Sequence, residues 1–157
     1  MNEPKLPALD AALTLVILRV TLGALFVSTF FENLGKDLYG AKGYAGLIHY
    51  YIQYGHAPAL WKQVMGLMAD HSALAGPGQG VFELSLGVFL ILGLFSRPAA
   101  LAAFGFLTGL WVSERGLSWI WELLVPMVVA AALMLGPSGQ RAAVDVALAR
   151  RWPQLPI

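Results

Sequence analysis

Four apolar runs constrain this chain more tightly than any motif in it. They lie at about residues 11–34, 78–95, 98–113 and 117–135. A helix needs about 20 residues to cross a hydrocarbon core of about 30 Å. The first run carries Arg19 and, near its end, Glu32; the second carries Glu83; the third has no charge; the fourth carries Glu122. The second and third are short for perpendicular crossing. The segment Gly93-Leu94-Phe95-Ser96-Arg97-Pro98 still separates them as a tight turn. Ser96 is a helix-capping residue type, and Pro98 suits the first turn of a new helix. Composition agrees. Hydrophobic residues make up 58% of the 157 and charged residues 12%, with mean hydropathy +0.68. A soluble domain is roughly 45–50% apolar and about 25% charged. So few charges cannot cover a small soluble domain, which excludes disorder, fibrous repeats and an ordinary cytosolic enzyme. The expected fold is all-α: one integral membrane four-helix bundle over residues 1–157.

The connection 36–77 is the least membrane-like part. Tyr44, Leu47, Ile48 and Tyr51 recur at helical spacing, as do Leu60, Trp61, Val64, Leu67 and Met68. Both sets predict amphipathic helices, packed as an interfacial cap over one end of the bundle. Gly76-Pro77-Gly78 is expected to start the second span, and residues 137–157 form a C-terminal tail. The N-terminus lacks the basic start of a secretory signal, so the first helix is expected to be retained. Orientation follows Lys and Arg. Lys5, Arg97, Arg141, Arg150 and Arg151 face Lys36, Lys42, Lys62 and Arg115 across the membrane. The expectation is a multi-pass protein of the bacterial inner membrane with both termini cytoplasmic.

Ionisable groups inside spans cost about 2.5–3.5 kcal/mol at a helix centre on insertion scales. Glu32, Glu83 and Glu122 all fall toward the outer side in this topology, and Lys36 follows Glu32 by one helical turn. Two readings stand for this set. One is interfacial anchoring with local ion pairing. The other is a polar niche of Glu32, Lys36, Glu83 and Glu122 that binds a quinone head, a polar substrate or a proton. Lys36 and Arg115 are candidate cations for Glu83. On the inner side, Arg19 is expected to snorkel toward the surface, and Arg97 to mark topology. Gly80, Glu83 and Gly87 share a helix face, which draws Glu83 toward the close-packed side. Gly105 and Gly109 form a GxxxG pattern that predicts close helix packing. Trp111, Trp119 and Trp121 suit an aromatic belt.

Several chemistries are absent. The chain has no cysteine, so disulfides, thiolate-held iron–sulfur clusters and catalytic thiols are excluded. His49, His56 and His71 all fall in the long connection, which argues against haem held between spans. A metal site from His49, His56 and Asp70 lacks compact ligand spacing; no metal is expected. The net charge of +1 carries no nucleic-acid signature. No covalent cofactor is expected, while quinone, lipid or pigment held by apolar contact is allowed.

The run from Arg19 to Phe26, with Phe31-Glu-Asn-Leu-Gly-Lys36, resembles the first helix of the DoxX/DoxD family of small bacterial membrane proteins. Glu83 to Pro98 resembles that family's second helix and short basic turn. Trp121 and Gly139 to Asp145 resemble the end of the DoxD branch. The likeness covers roughly residues 14–147. It implies a four-helix membrane bundle, and its named member class is a subunit of thiosulfate:quinone oxidoreductase. It transfers no catalytic residue; Arg19, Glu32, Lys36, Glu83 and Arg97 are candidates by charge cost. Three functions are carried forward. The first is a non-catalytic integral subunit of a larger electron-transfer complex in the lipid bilayer, with a quinone or lipid niche. The second is a structural accessory subunit of a respiratory or photosynthetic complex. The third is a self-contained quinone-dependent oxidoreductase.

Overall fold

The computed structural model describes residues 11–136, and side chains from residue 13. The expected tail 137–157 and the inner-side charges Lys5, Arg141, Arg150 and Arg151 lie outside the described residues. Those described form six helices and no strand: α1 (Ala11–Gly35), α2 (Ala41–Tyr54), α3 (Ala59–Asp70), α4 (Ser72–Leu92), α5 (Ser96–Ser113) and α6 (Ile120–Leu135). Two of them are long and apolar enough to cross a membrane, over Leu13–Gly35 and Ser72–Leu92. The sequence reading expected four such spans. α5 has 18 residues and α6 has 16, about 27 and 24 Å at 1.5 Å per residue.

α1 packs on α4, α5 on α6, and the contacts of α4 with α5 and α6 with α1 close the ring. Leu22, Phe26, Leu86, Leu90, Ala100, Ala103, Ala130 and Leu133 fill its core. Glycine sets the closest crossing. A Cβ at Gly87 would meet Val27 Cγ2 at 2.7 Å and the Gly23 carbonyl at 3.0 Å, so α1 and α4 touch backbone to backbone. Outside the ring, Ile17, Val20, Val81, Leu101, Val125 and Val128 are exposed. Apolar exposure on this scale needs an apolar surrounding or a partner.

α2 and α3 form the cap, joined through Tyr44, Ile48, Ala57, Met65 and Ala69. Lys62 Nζ donates to the Ile52 and Gly55 carbonyls at 2.7 and 2.9 Å, which satisfies the end of α2. Trp61 Nε1 donates to Ser113 Oγ at 2.8 Å, and His56 N–H to the Arg115 carbonyl at 2.7 Å. The cap is thereby fastened to the α5–α6 turn.

Four expectations need correction. α4 begins at Ser72, not near residue 78, because the cap buries its first turns: Gly76 lies against Tyr39 and Tyr44, and Gln79 accepts from the Tyr44 hydroxyl at 3.0 Å. Pro77 is carried inside the helix. The α4–α5 turn is capped by Phe95 rather than Ser96, with Gly93 and Phe95 both left-handed (φ 67° and 49°). The inward face of α3 is Trp61, Met65, Met68 and Ala69, so Trp61 and Met68 of the expected set pack inward while Leu60, Val64 and Leu67 face outward. Finally, Gly105 makes no close crossing: a Cβ there meets nothing within 4 Å, and one at Gly109 meets only the Trp61 ring at 3.5 Å. The GxxxG face borders a small cavity of about 210 Å³ beneath the cap.

Candidate functional site

The polar groups are assembled by the turn that ends α1. Leu38 N–H reaches the Asn33 carbonyl at 3.0 Å and Asp37 N–H the Leu34 carbonyl at 3.1 Å, the pattern of a Schellman motif. Asp37 occupies its left-handed position (φ 57°), which short polar side chains tolerate best after glycine. The reversal carries Tyr39 back over α4. The Tyr39 ring stacks on Phe30, with centroids 5.4 Å apart. It also lies over Gly80, where a Cβ would come within 3.0 Å of it.

So placed, the Tyr39 hydroxyl donates to Glu83 Oε2 at 2.5 Å, and Asn33 Nδ2 approaches that hydroxyl at 3.4 Å. Glu83 is 2% exposed and Tyr39 7%. A buried carboxyl with no such donor bears a desolvation penalty of about 1–3 kcal/mol or more. Burial, then the hydrogen bond to Glu83, holds the Tyr39 phenol far above its usual range. It therefore remains a proton donor. The partner of Glu83 is Tyr39, not the expected Lys36 or Arg115. Its position also differs, because the early start of α4 puts Glu83 at mid-helix while the end of α1 stays level with it.

Glu83 faces a cavity of about 470 Å³ enclosed by α1, α2, α4, α5 and α6. Glu32, Lys36, Glu83 and Glu122 all line it. Glu32 and Lys36 form an ion pair at 2.5 Å with side chains 62% and 58% exposed, so water screens it. Asn33, Gln79 and Glu114 line the same cavity; sequence reading did not single them out. For Glu114 the signal was an acid placed directly after the third apolar run. It accepts from the Tyr51 hydroxyl at 2.8 Å and the Ser118 hydroxyl at 2.9 Å. Burial, then the Glu114 charge, pushes the Tyr51 phenol far up as well. Four carboxyl groups thus face one ammonium among the lining residues. The arrangement can hold a proton, or a group that donates hydrogen bonds.

An apolar groove of about 270 Å³ adjoins this cavity between α1 and α6. Leu25, Glu122 and Pro126 line both spaces. Pro126 has no N–H to return to the Glu122 carbonyl, so α6 lacks that one helical bond beside the junction.

The remaining candidates lie elsewhere. Arg19 is 1% exposed and shares an α1 face with Leu22 and Phe26, so it is enclosed rather than snorkelling. Arg97 is exposed at the opposite end, with Nε 3.4 Å from the Gly136 carbonyl. Among the described residues no three His, Asp or Glu side chains converge as a metal-ligand set. His56 instead lies against Gly116 of the α5–α6 turn.

A model of the DoxX family matches residues 14–114. The chain belongs to the DoxX family. No curated protein and no solved structure matches it. DoxX is a membrane family, in keeping with two apolar helices of spanning length. The DoxX match includes Glu32, Lys36, Glu83 and Glu114 and stops before Glu122, so α6 supplies a wall of the cavity from outside the matched region.

Proposed function

We propose that this DoxX-family chain is a multi-pass membrane subunit of an electron-transfer complex, and that its acid-lined cavity receives a quinone head group. In this reading α1, α4, α5 and α6 are the four spans of a bundle in the bacterial inner membrane, with both termini cytoplasmic. The shorter α5 and α6 are accommodated by local thinning or by neighbouring subunits. The chain carries no covalent cofactor. Electrons pass through a partner, while this chain positions the head group and supplies proton-accepting carboxyls. The observation that carries the reading is the convergence of Glu32, Lys36, Glu83, Glu114 and Glu122 on one cavity of about 470 Å³. That size lies within the range of small-molecule sites, about 300–1,000 Å³.

The test combines native purification with binding. The wild-type chain should travel with a redox subunit bearing haem, flavin or an iron–sulfur cluster, and should bind a short-chain hydroquinone. Glu83→Gln should keep the partner and lose about tenfold in hydroquinone affinity, the scale of one hydrogen bond to a charged group. Recovery of the chain alone, with no hydroquinone binding, would refute the proposal.

A purely structural accessory role is favoured by a different observation. Leu60, Val64 and Leu67 form an exposed apolar stripe on the cap helix α3, suited to a neighbouring subunit. Partner recovery that depends on this stripe and is indifferent to Glu83 would select that role.

A further inference from the structure

Two apolar spaces adjoin the acid-lined cavity: the small cavity beneath the cap, which shares Leu47, Tyr51 and Phe106 with it, and the α1–α6 groove, which runs along the bilayer-facing side. Leu25, Glu122 and Pro126 stand at the junction of the cavity and the α1–α6 groove. From there the groove runs along α1 past Thr21 to Leu18, and along α6 past Val125 to Val129. Thr21 and Val125 are exposed on the bilayer-facing side, so the groove opens sideways. A ligand can therefore enter from the membrane without crossing the cap. Acceptors dominate the cavity's charged lining: four carboxyls stand against the Lys36 ammonium, which Glu32 engages, and the Asn33 and Gln79 amides add neutral donors, of which Asn33 is directed to the Tyr39 hydroxyl. Of the carboxyls, Glu32 is answered by Lys36, Glu83 by Tyr39 and Glu114 by Tyr51 and Ser118. Ionised carboxylates only accept, so a head group that donates finds more charged partners here than one that only accepts.

We infer that the site takes a single-tailed amphipath whose head donates hydrogen bonds into the cavity and whose tail leaves through the α1–α6 groove. For the quinone class, on which this inference rests, that means the reduced dihydroxy form is preferred over the dicarbonyl form. The groove acts as an exit. A tail gains no apolar burial by leaving lipid for it, because lipid is as apolar as the groove. What the groove supplies is room for the tail once the head is seated. Closing it should therefore exclude tailed ligands and spare tail-less ones.

The experiment uses the full chain in lipid nanodiscs and two probes with one head: 2,3-dimethoxy-5-methylhydroquinone without a tail, and the same head with a decyl tail. Thr21→Trp with Val125→Trp fills the groove from positions already facing lipid. Val128→Trp, on α6 but outside the groove lining, is the control. Each probe is compared between variants, which cancels its partition into lipid. The double variant should weaken the decyl probe about tenfold or more, a steric loss of at least 1.4 kcal/mol. The tail-less probe should stay within about threefold, and the control should change neither. In wild type, the oxidised form of the tail-less probe should bind about tenfold more weakly than the reduced form, the scale of one charged hydrogen bond. If the decyl probe binds the double variant as it binds wild type, the tail does not use this groove and the inference falls, although the head site stands. Equal affinity for the oxidised and reduced forms overturns the donor requirement. If neither probe binds wild type, the quinone reading fails and this inference fails with it.

Discussion

Tyr39 and Glu83 are the pair on which the cavity wall depends. The carboxyl is buried in an apolar helix and the hydroxyl is its donor. Tyr39→Phe keeps the ring on Phe30 and over Gly80 and removes only the donor. It should cost about 1–3 kcal/mol, because a buried polar group is left unsatisfied. Glu83→Leu removes the other partner and leaves the Tyr39 hydroxyl to Asn33 alone. If the two side chains act as a unit, the double variant should lose less than the sum of the single losses, by about 0.5–3 kcal/mol. Thermal unfolding of the three variants in one detergent measures this. Strict additivity would show that the contact carries no stability. Half of the pair was legible in the sequence. A carboxyl in an apolar run, flanked by Gly80 and Gly87 on one helix face, has to be explained by its cost. Tyr39 was not legible, because its placement depends on Asp37 taking a left-handed conformation. No apolar periodicity encodes that.

At the scale of the elements, glycines of similar appearance in sequence have opposite consequences. Gly87 lies at the α1–α4 crossing, where an added methyl meets Val27 and the Gly23 carbonyl. Gly87→Ala should destabilise by about 1–3 kcal/mol through overpacking. Gly105 faces open space, so Gly105→Ala should be neutral or stabilising by up to about 1 kcal/mol, the difference in helix propensity. Unfolding of the two variants side by side decides the matter, and equal losses would contradict the crossing described here. The GxxxG spacing in α5 showed that one helix face is small, but spacing does not say what stands opposite. Similarly, the turn signal at Gly76-Pro77-Gly78 was real in composition and misleading in position. The cap packs against the first turns of α4 and holds them helical through the proline. The α3 register failed for a related reason. Its apolar residues nearly encircle the helix, so periodicity offers two faces, and the packing of Met65 and Ala69 on α2 together with the docking of Trp61 on Ser113 chooses between them.

At the scale of the whole molecule, most polar groups among the described residues fall toward two ends, with Arg19 enclosed between them. The cap, the α1 turn, Glu114 and Glu122 stand at one, with Glu83 meeting the α1 turn from the middle of α4, and the α4–α5 turn with Arg97 near Gly136 stands at the other. Between them the outer surface is apolar: Val88, Leu101 and Val128 are 39%, 56% and 64% exposed. The 23 residues from Leu13 to Gly35 in α1 span roughly 35 Å at 1.5 Å per residue, enough to cross a hydrocarbon core of about 30 Å. A soluble protein with this surface would aggregate, whereas a bilayer would cover the apolar belt and leave both ends in water. Lys42 lies in the first turn of α2 in the cap and Arg97 in the first turn of α5 at the opposite end, and both are exposed. Because the chain has no cysteine, single substitutions report without background. In right-side-out vesicles a membrane-impermeant maleimide should label Lys42→Cys and leave Arg97→Cys untouched. In inverted vesicles the pattern should reverse. Labelling of both positions from one face would mean that the two ends share a compartment. The apolar belt would then have to be covered by protein, and the spanning arrangement of α1, α4, α5 and α6 would be rejected.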